Sequence, residues 1–288
     1  MLLQVKNLSH TYDPDIKSNN YTLKDINFEV QKGEFIGLIG HTGSGKSTLV
    51  QTLNALIHPT KGEIIIDGQD ITKIKNLKEI RKKVGLVFQY PEHQLFEENI
   101  AADVSFGPKN LGLNEDEVDR RVKQALEWVN LDYEEFKDRS PFRLSGGQQR
   151  RVAIAGVLAM EPEILILDEP TAGLDPKARV ELINEIVNLK DKFGLTIILI
   201  SHRMEEIAQL ADRILVLESG KLVLEGSPSY VFDHDSYLEE IGLGIPQITS
   251  VMKRLKKKLK LSDMRTDIFT IEDAKQEILK VKRVKDVR

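Results

Sequence analysis

Residues 35–47 read FIGLIGHTGSGKS. The run FIGLIG has strand length and no polar alternation, the mark of a strand buried on both faces. Directly after it stand Gly40, Gly43 and Gly45, then Lys46 and Ser47, in the spacing G-x-x-x-x-G-K-S. Glycines let the backbone curl so that successive N–H groups point into one small space. A helix starting there adds positive partial charge at its N-terminus. Such a nest accepts phosphate oxygens, and the strand–loop–helix context separates it from an ordinary glycine-rich turn. His41, Thr42, Ser44 and Thr48 complete the loop. Lys46 is expected to reach the β- and γ-phosphates of a nucleotide, ATP, and the Ser47 hydroxyl to bind Mg²⁺. The loop commits the chain to the α/β class, with a P-loop NTPase core built on a mostly parallel sheet.

The remaining pattern agrees. Strands are expected at EIIID (63–67), VGLVF (84–88), EILILD (163–168), LTIILIS (195–201) and RILVLE (213–218). Ahead of the loop, LLQVKNL and TLKDINFEV suggest an N-terminal antiparallel β subdomain, because apolar and polar positions alternate in INFEV. Between 97 and 158 the period turns helical. Val118, Val122, Ala125, Leu126 and Val129 fall on one helix face, and Asn114 with Glu117 resembles a capping pair at its start. A helical insertion therefore interrupts the core. GLGIPQ (242–247) breaks the pattern and divides a domain at 1–242 from a small C-terminal extension at 243–288. In the extension, Thr270 and Asp273 form a second capping pair before a short helix.

Composition excludes several alternatives. Among the 288 residues, 41 % are hydrophobic and 30 % charged, a globular balance. No apolar run approaches the roughly 20 residues of a membrane-spanning helix. MLLQVKNLSH has no basic region followed by an apolar stretch, so no signal peptide is expected. There is no cysteine, which removes disulfides and thiolate metal sites. The basic runs KRLKKKLK (253–260) and KVKRVKDVR (280–288) suit a solvated helix face or a contact with acidic lipid or protein.

Two further strand ends carry chemistry. EILILDEP closes on Asp168 and Glu169. Asp168 can hold Mg²⁺, and Glu169 can orient or deprotonate a water for attack on the γ-phosphate. LTIILISHR places His202 at a strand end, where it can hydrogen-bond the γ-phosphate.

LSGGQQRR (144–151) narrows the class. With the phosphate loop, Gln89, LILDEP (165–170), AGLD (172–175) and His202 in this order, residues 1–242 resemble the ATP-binding cassette (ABC) ATPases. The resemblance implies roles. Tyr12 would stack on adenine. Gln89 would contact Mg²⁺ and the attacking water. Ser145, Gly146, Gly147 and Gln148 would close over ATP held by a partner subunit, and Asp175 would couple the two sites. Glu169, His202 and Gln89 would act in hydrolysis.

FQYPEHQLFEEN (88–99), followed by DVSFGPKN, is similar to the ATPases of energy-coupling factor (ECF) transporters, most of all to the second of their two ATPases. That resemblance implies ATP-driven uptake of a vitamin or of cobalt or nickel ions. The partners would be a second, similar ATPase (a heterodimer ahead of a homodimer), a transmembrane coupling protein and a substrate-capturing membrane protein. The chain would sit peripherally on the cytoplasmic face of the cell membrane. Tyr90, Glu92, Gln94, Glu97 and Glu98 would line the groove receiving the membrane subunit, an acidic set suited to a helix bearing arginines. Alternatively, the three glutamates serve solvent or a helix dipole, while Phe88, Leu95 and Phe96 are core residues of a helix opened by Pro91. The GLGIPQITSVMKRL segment resembles an extension that holds the two ATPases together. Another ABC importer, or a ribosome- or DNA-associated ABC ATPase, is the alternative. The cassette body shows no basic face and no long heptad run, so nucleic acid is not an expected partner.

Overall fold

The computed structural model describes residues 1–13 and 21–286. In chain order its strands are β1 (Leu3–His10), β2 (Leu23–Val30), β3 (Phe35–Ile39), β4 (Lys61–Ile66), β5 (Gln69–Asp70), β6 (Val84–Val87), β7 (Ile164–Asp168), β8 (Thr196–Ile200), β9 (Arg213–Glu218) and β10 (Lys221–Gly226). They form two sheets. The first, β2-β1-β4-β5, is antiparallel throughout. The second has the order β10-β9-β3-β8-β7-β6 and is parallel from β9 to β6.

The central strands are buried along their whole length because each feeds two cores. Alternate side chains of a strand point to opposite faces. Ile36, Leu38, Ile166, Ile198 and Ile200 join Val5, Ile64 and the Leu49 and Leu53 side chains of the helix Lys46–Leu53. Phe35, Leu165, Leu167, Ile197 and Leu199 pack against Val152, Ile154, Leu182 and Ile186 on the other face. This double demand explains the continuous apolar runs read from the sequence.

β10 was not expected. It pairs antiparallel with β9 across a tight turn at Ser219 and Gly220, both at positive φ (47° and 80°). It is an edge strand, half-exposed along most of its length, so KLVLEG lacks the apolar density of its neighbours. The usable signal was the two-residue Ser-Gly between two strand-like runs.

The helical region contains Ile100–Asn110, Glu115–Trp128, Tyr133–Phe136 and Gly146–Leu158. Asn114 caps the second of these, its side chain accepting from the Glu117 N–H at 2.9 Å. Segment 88–99 does not open a long helix. Pro91–Gln94 forms a single 3-10 turn, and Leu95 leaves it in extended conformation. Leu95 is buried, as a core residue should be, but Phe88 and Phe96 are 37 % and 56 % exposed.

Beyond Gly244, helices Gln247–Leu259 and Ile271–Asp286 enclose a small core of their own: Met252, Met264, Ile268 and Ala274. Asp273 donates its backbone N–H to Thr270 Oγ1 at 3.1 Å, the expected cap. Two hydrogen bonds tie this extension to the helix Met204–Leu210. Gln247 N donates to Glu205 Oε1 at 3.1 Å, and Gln209 Nε2 donates to the Phe269 carbonyl at 3.0 Å. Lys253 is not a free surface cation, since it lies 3.2 Å from Asp235 and 3.5 Å from Asp233. The basic run 280–288 lies only partly within the described residues.

Candidate functional site: a phosphate-loop cavity and its surroundings

The parallel sheet brings the C-terminal ends of β3, β7 and β8 side by side, and a ligand of an open α/β sheet binds in the crevice beyond such ends. The loop after β3 turns tightly. Gly45 precedes the helix Lys46–Leu53 with φ of 105°, a conformation side chains resist. At Gly40 a Cβ would collide with the Leu217 carbonyl and with Ser44 Oγ, so the close approach of loop and β9 requires glycine. Lys46 is buried, and its ammonium donates to the carbonyls of Gly40 (2.7 Å) and His41 (3.0 Å). Burial lowers its pKa, and the nearby Glu169 and Asp168 carboxylates offset part of that. Ser44 Oγ is buried with no hydrogen-bond partner among the described residues.

Ser47 Oγ donates to Asp168 Oδ2 at 3.0 Å across 121 residues of sequence. Burial pushes the Asp168 carboxyl up, Glu169 adds to the rise, and the Ser47 hydrogen bond opposes it. Glu169 follows β7 at φ 50°, a backbone conformation uncommon for a non-glycine residue. Its carboxylate takes Gln89 Nε2 at 3.1 Å on one oxygen and His202 Nε2 at 2.8 Å on the other. Gln89, Asp168, Glu169 and His202 thus stand together with Thr42, Gly43 and Gly45–Thr48 around a cavity of about 500 Å³. Thr22, which the sequence reading missed, also lines it. No local pattern marks this threonine, which reaches the cavity through the path of the chain before β2. Tyr12 is exposed beside the loop, with its hydroxyl 3.1 Å from Thr48 Oγ1.

Ser145, Gly146, Gly147 and Gln148 do not line that cavity. They open the helix Gly146–Leu158 in a reciprocal cap. Ser145 Oγ accepts from Gln148 N at 3.3 Å, and Gln148 Oε1 accepts from Ser145 N at 3.1 Å. Asp175 caps the helix Pro176–Phe193 by accepting from Lys177 N and Ala178 N at 2.9 and 3.0 Å.

Arg150 was missed. It is 3 % exposed on the helix Gly146–Leu158, which the signature run LSGGQ (144–148) opens, donates to the carbonyls of Pro170 (2.8 Å) and Ala172 (2.7 Å), and pairs with Glu92 at 3.1 Å. One guanidinium thereby joins three segments: the turn after Gln89, the signature helix and the loop after Glu169. The two adjacent arginines in LSGGQQRR were the available signal, but a single sequence does not say which one turns inward. Arg151 pairs instead with Glu181 (3.1 Å) and with the buried Glu185 (2.8 Å) on the helix after Asp175.

A second cavity, of about 590 Å³, lies between the segment after β6 and helices Ile100–Asn110 and Gly146–Leu158. Of the five groove residues expected from the sequence, Gln94 lines it, and Tyr90, Glu92, Glu97 and Glu98 do not. Glu92 turns to Arg150. The wall is apolar, with Phe88, Phe96, Phe106 and Met160, and the cations Lys78, Arg81 and Lys82 lie along it. Phe96 and Phe106 meet edge to face at 4.9 Å. The Asp103 carboxylate holds this wall by accepting from Phe96 N and Glu97 N, both at 3.0 Å.

The fold and the phosphate-loop cavity are those of an ATP-binding cassette ATPase. A family model for ABC transporters matches residues 23–172. The chain is 56 % identical over 283 residues to the energy-coupling factor transporter ATP-binding protein EcfA2 of Clostridium tetani, covering 98 % of this chain and 97 % of that one. It is 55 % identical to the protein of that name in Clostridioides difficile, over 98 % of each. Among solved structures it resembles cbiO1 of Clostridium perfringens, part of the ABC transporter complex cbiONQ, with a TM-score of 0.73 and 36 % identity over 90 % of this chain and 99 % of that one. It also resembles the cassette MJ0796, solved as a dimer bound to ADP and Pi (TM-score 0.70, 30 % identity, 79 % of this chain and 99 % of that one). The chain belongs to the ABC transporter family and, within it, to the energy-coupling factor transporter ATP-binding subunits. It binds ATP and couples its hydrolysis to transport. Among the described residues no helix is long and apolar enough to cross a membrane.

Proposed function

We propose that this chain is one half of an ATPase pair that powers micronutrient uptake, with vitamins or cobalt or nickel ions as cargo. The observation that carries the pairing is the separation of two sets of residues. The phosphate loop, Asp168, Glu169, His202 and Gln89 share one cavity, while Ser145–Gln148 open a helix outside it. In this reading the signature residues close over the γ-phosphate held by a second ATPase, and Asp175 couples the two sites. Similarity to proteins named EcfA2 favours a non-identical partner. The extension 243–288 helps hold the two together.

In the nucleotide site, Lys46 leaves the loop carbonyls for the β- and γ-phosphates, which add negative charge to that of the nearby Glu169 and Asp168. Tyr12 packs on the adenine. The donor set fits Mg²⁺: Ser47 and Asp168 present two oxygens 3.0 Å apart beside the phosphate loop, and Gln89 stands across the same cavity. Bound there, Mg²⁺ supplies charge neutralisation at the phosphoryl group being transferred. Glu169 takes the proton of the attacking water, and His202 orients Glu169 and contacts the γ-phosphate. The protein's contribution is positioning and electrostatics, since phosphoryl transfer asks for little else. The isolated chain is expected to bind ATP but to turn it over only when joined by its partner. ATPase assays on the chain alone and in the complex check this. Turnover by dilute isolated chain at the rate of the complex would show that one chain makes a whole site.

The apolar groove takes the membrane coupling protein, with aromatic and aliphatic side chains of its docking helix against Phe88, Phe96 and Phe106. In this reading the chain sits peripherally on the cytoplasmic face of the membrane. Phe96→Ser is expected to weaken co-purification with the membrane subunits at least about tenfold, as loss of one buried aromatic anchor does. ATP binding should remain unchanged. Intact assembly in Phe96→Ser counts against this groove, while charge reversal at Glu97 or Glu98, which lie outside the cavity, tests whether the acidic residues beside it contribute to docking.

A further inference from the structure

The loops after β7 and before His202 carry the groups assigned to hydrolysis, and both meet a side chain with no role so far. Glu206 lies on the helix Met204–Leu210 and is 12 % exposed. Its Oε2 accepts from Ser201 Oγ at 3.1 Å and from Thr171 Oγ1 at 3.4 Å. Ser201 immediately precedes His202, and Thr171 lies two residues after Glu169. Both hydroxyl-bearing residues are buried. The other oxygen, Oε1, is buried with no hydrogen bond among the described residues, 3.6 Å from Arg179 Nε on the helix that Asp175 caps and 3.7 Å from Arg203 Nε.

We propose that Glu206 is a positioning residue for ATP hydrolysis, holding the Glu169 loop and the His202 loop in one fixed relation through Thr171 and Ser201. The inference rests on the reading of Glu169 and His202 given above. The backbone sets the start of each loop, because Glu169 N donates to the Ile200 carbonyl at 2.9 Å. Beyond that point the strands have ended, and no ladder keeps the loops in register. Glu206 replaces the ladder there. On the opposite side the same loop is held by Arg150 at the carbonyls of Pro170 and Ala172. The Glu206 carboxyl group and the buried Arg150 guanidinium therefore both hold residues 170–172. The 2.8 Å contact between His202 and Glu169 depends on both loops keeping their places. A misplacement of about 1 Å at a reacting group can lower turnover on the order of a hundredfold.

The test uses the assembled transporter, with steady-state ATPase activity, nucleotide affinity and thermal unfolding measured in parallel. Glu206→Ala is expected to lower kcat about ten- to a hundredfold while KM for ATP and nucleotide affinity stay within about twofold. Glu206→Gln keeps an acceptor for both hydroxyls and should recover kcat to within about threefold of native. If Glu206→Ala does not fold, Ser201→Ala combined with Thr171→Val removes the same two bonds, together with the one Ser201 Oγ accepts from Arg203 N at 3.0 Å, and should lower kcat with KM unchanged. Native kcat in Glu206→Ala, or equal losses in kcat and affinity with no recovery in Glu206→Gln, would overturn the proposal. Glu169→Gln in the same preparation separates the two levels. Native turnover in that variant removes the underlying reading, whereas an inactive Glu169→Gln beside a native Glu206→Ala removes only the role of Glu206.

Discussion

Replacing Glu169 by glutamine should leave ATP bound and unhydrolysed. The amide keeps the size of the side chain but cannot take a proton from water. Loss of a positioned general base lowers turnover by about 10²- to 10⁴-fold. Lys46, Ser47 and the glycines of the loop are untouched, so nucleotide affinity should hold. His202 Nε2 and Gln89 Nε2 now approach the two oxygens of Glu169 at 2.8 and 3.1 Å. An amide offers only one acceptor oxygen there, so one of these contacts is lost as well. In the full complex the variant should accumulate a closed pair of ATPases with ATP trapped, measured as nucleotide retained after gel filtration. Turnover at the native rate would mean that another group, or water alone, accepts the proton.

The largest effect on stability is expected from Arg150→Ala. The guanidinium is nearly inaccessible and satisfies Glu92 and two loop carbonyls at once. Its removal leaves the Glu92 carboxylate unpaired and two carbonyls without donors. Breaking a buried pair by deleting one partner costs about 3–5 kcal/mol, a large part of the total stability of a typical domain, about 5–15 kcal/mol. Arg150→Lys keeps the charge but not the fork that serves three acceptors, so it should recover only part of the loss. Glu92→Gln should cost less, about 1–2 kcal/mol, because the amide oxygen can still accept from the guanidinium and Arg150 keeps the Pro170 and Ala172 carbonyls. Urea unfolding of the three variants gives the ranking. A loss below about 1 kcal/mol in Arg150→Ala, within the range of an exposed pair, would show that the cluster is solvated in solution.

Glu92 illustrates how far the sequence could be read. Its place three residues after Gln89 was visible, and so was the acidic character of 92–98. A charge count does not say which way a side chain turns. Glu92 faces inward because Arg150, 58 residues later, is buried against it. The aromatic lining of the neighbouring cavity has a related cause. The 3-10 turn at Pro91–Gln94 and the Asp103 hydrogen bonds to Phe96 N and Glu97 N swing Phe88 and Phe96 to the surface. β10 escaped notice because an edge strand needs little apolar density. Thr22 and Glu206 act through distant contacts, and no spacing rule reaches them.

What this sequence determined by itself was everything set by local chemistry. Glycines at 40, 43 and 45 with Lys46 and Ser47 define a phosphate nest, because backbone freedom and charge are properties of consecutive residues. Continuous apolar runs define strands that must be covered on both faces. Asp168, Glu169 and His202 stand at or just past the ends of such strands, so their presence at one sheet end was legible from the order of residues. The tertiary structure alone decided which side chains meet across the chain. Ser47 with Asp168, Glu169 with Gln89 and His202, Arg150 with Glu92, and Glu206 with Ser201 and Thr171 are pairs made by sheet order and helix packing. Those arrangements are set by the fit of two cores on either face of one sheet, a property of the whole chain that no short stretch contains.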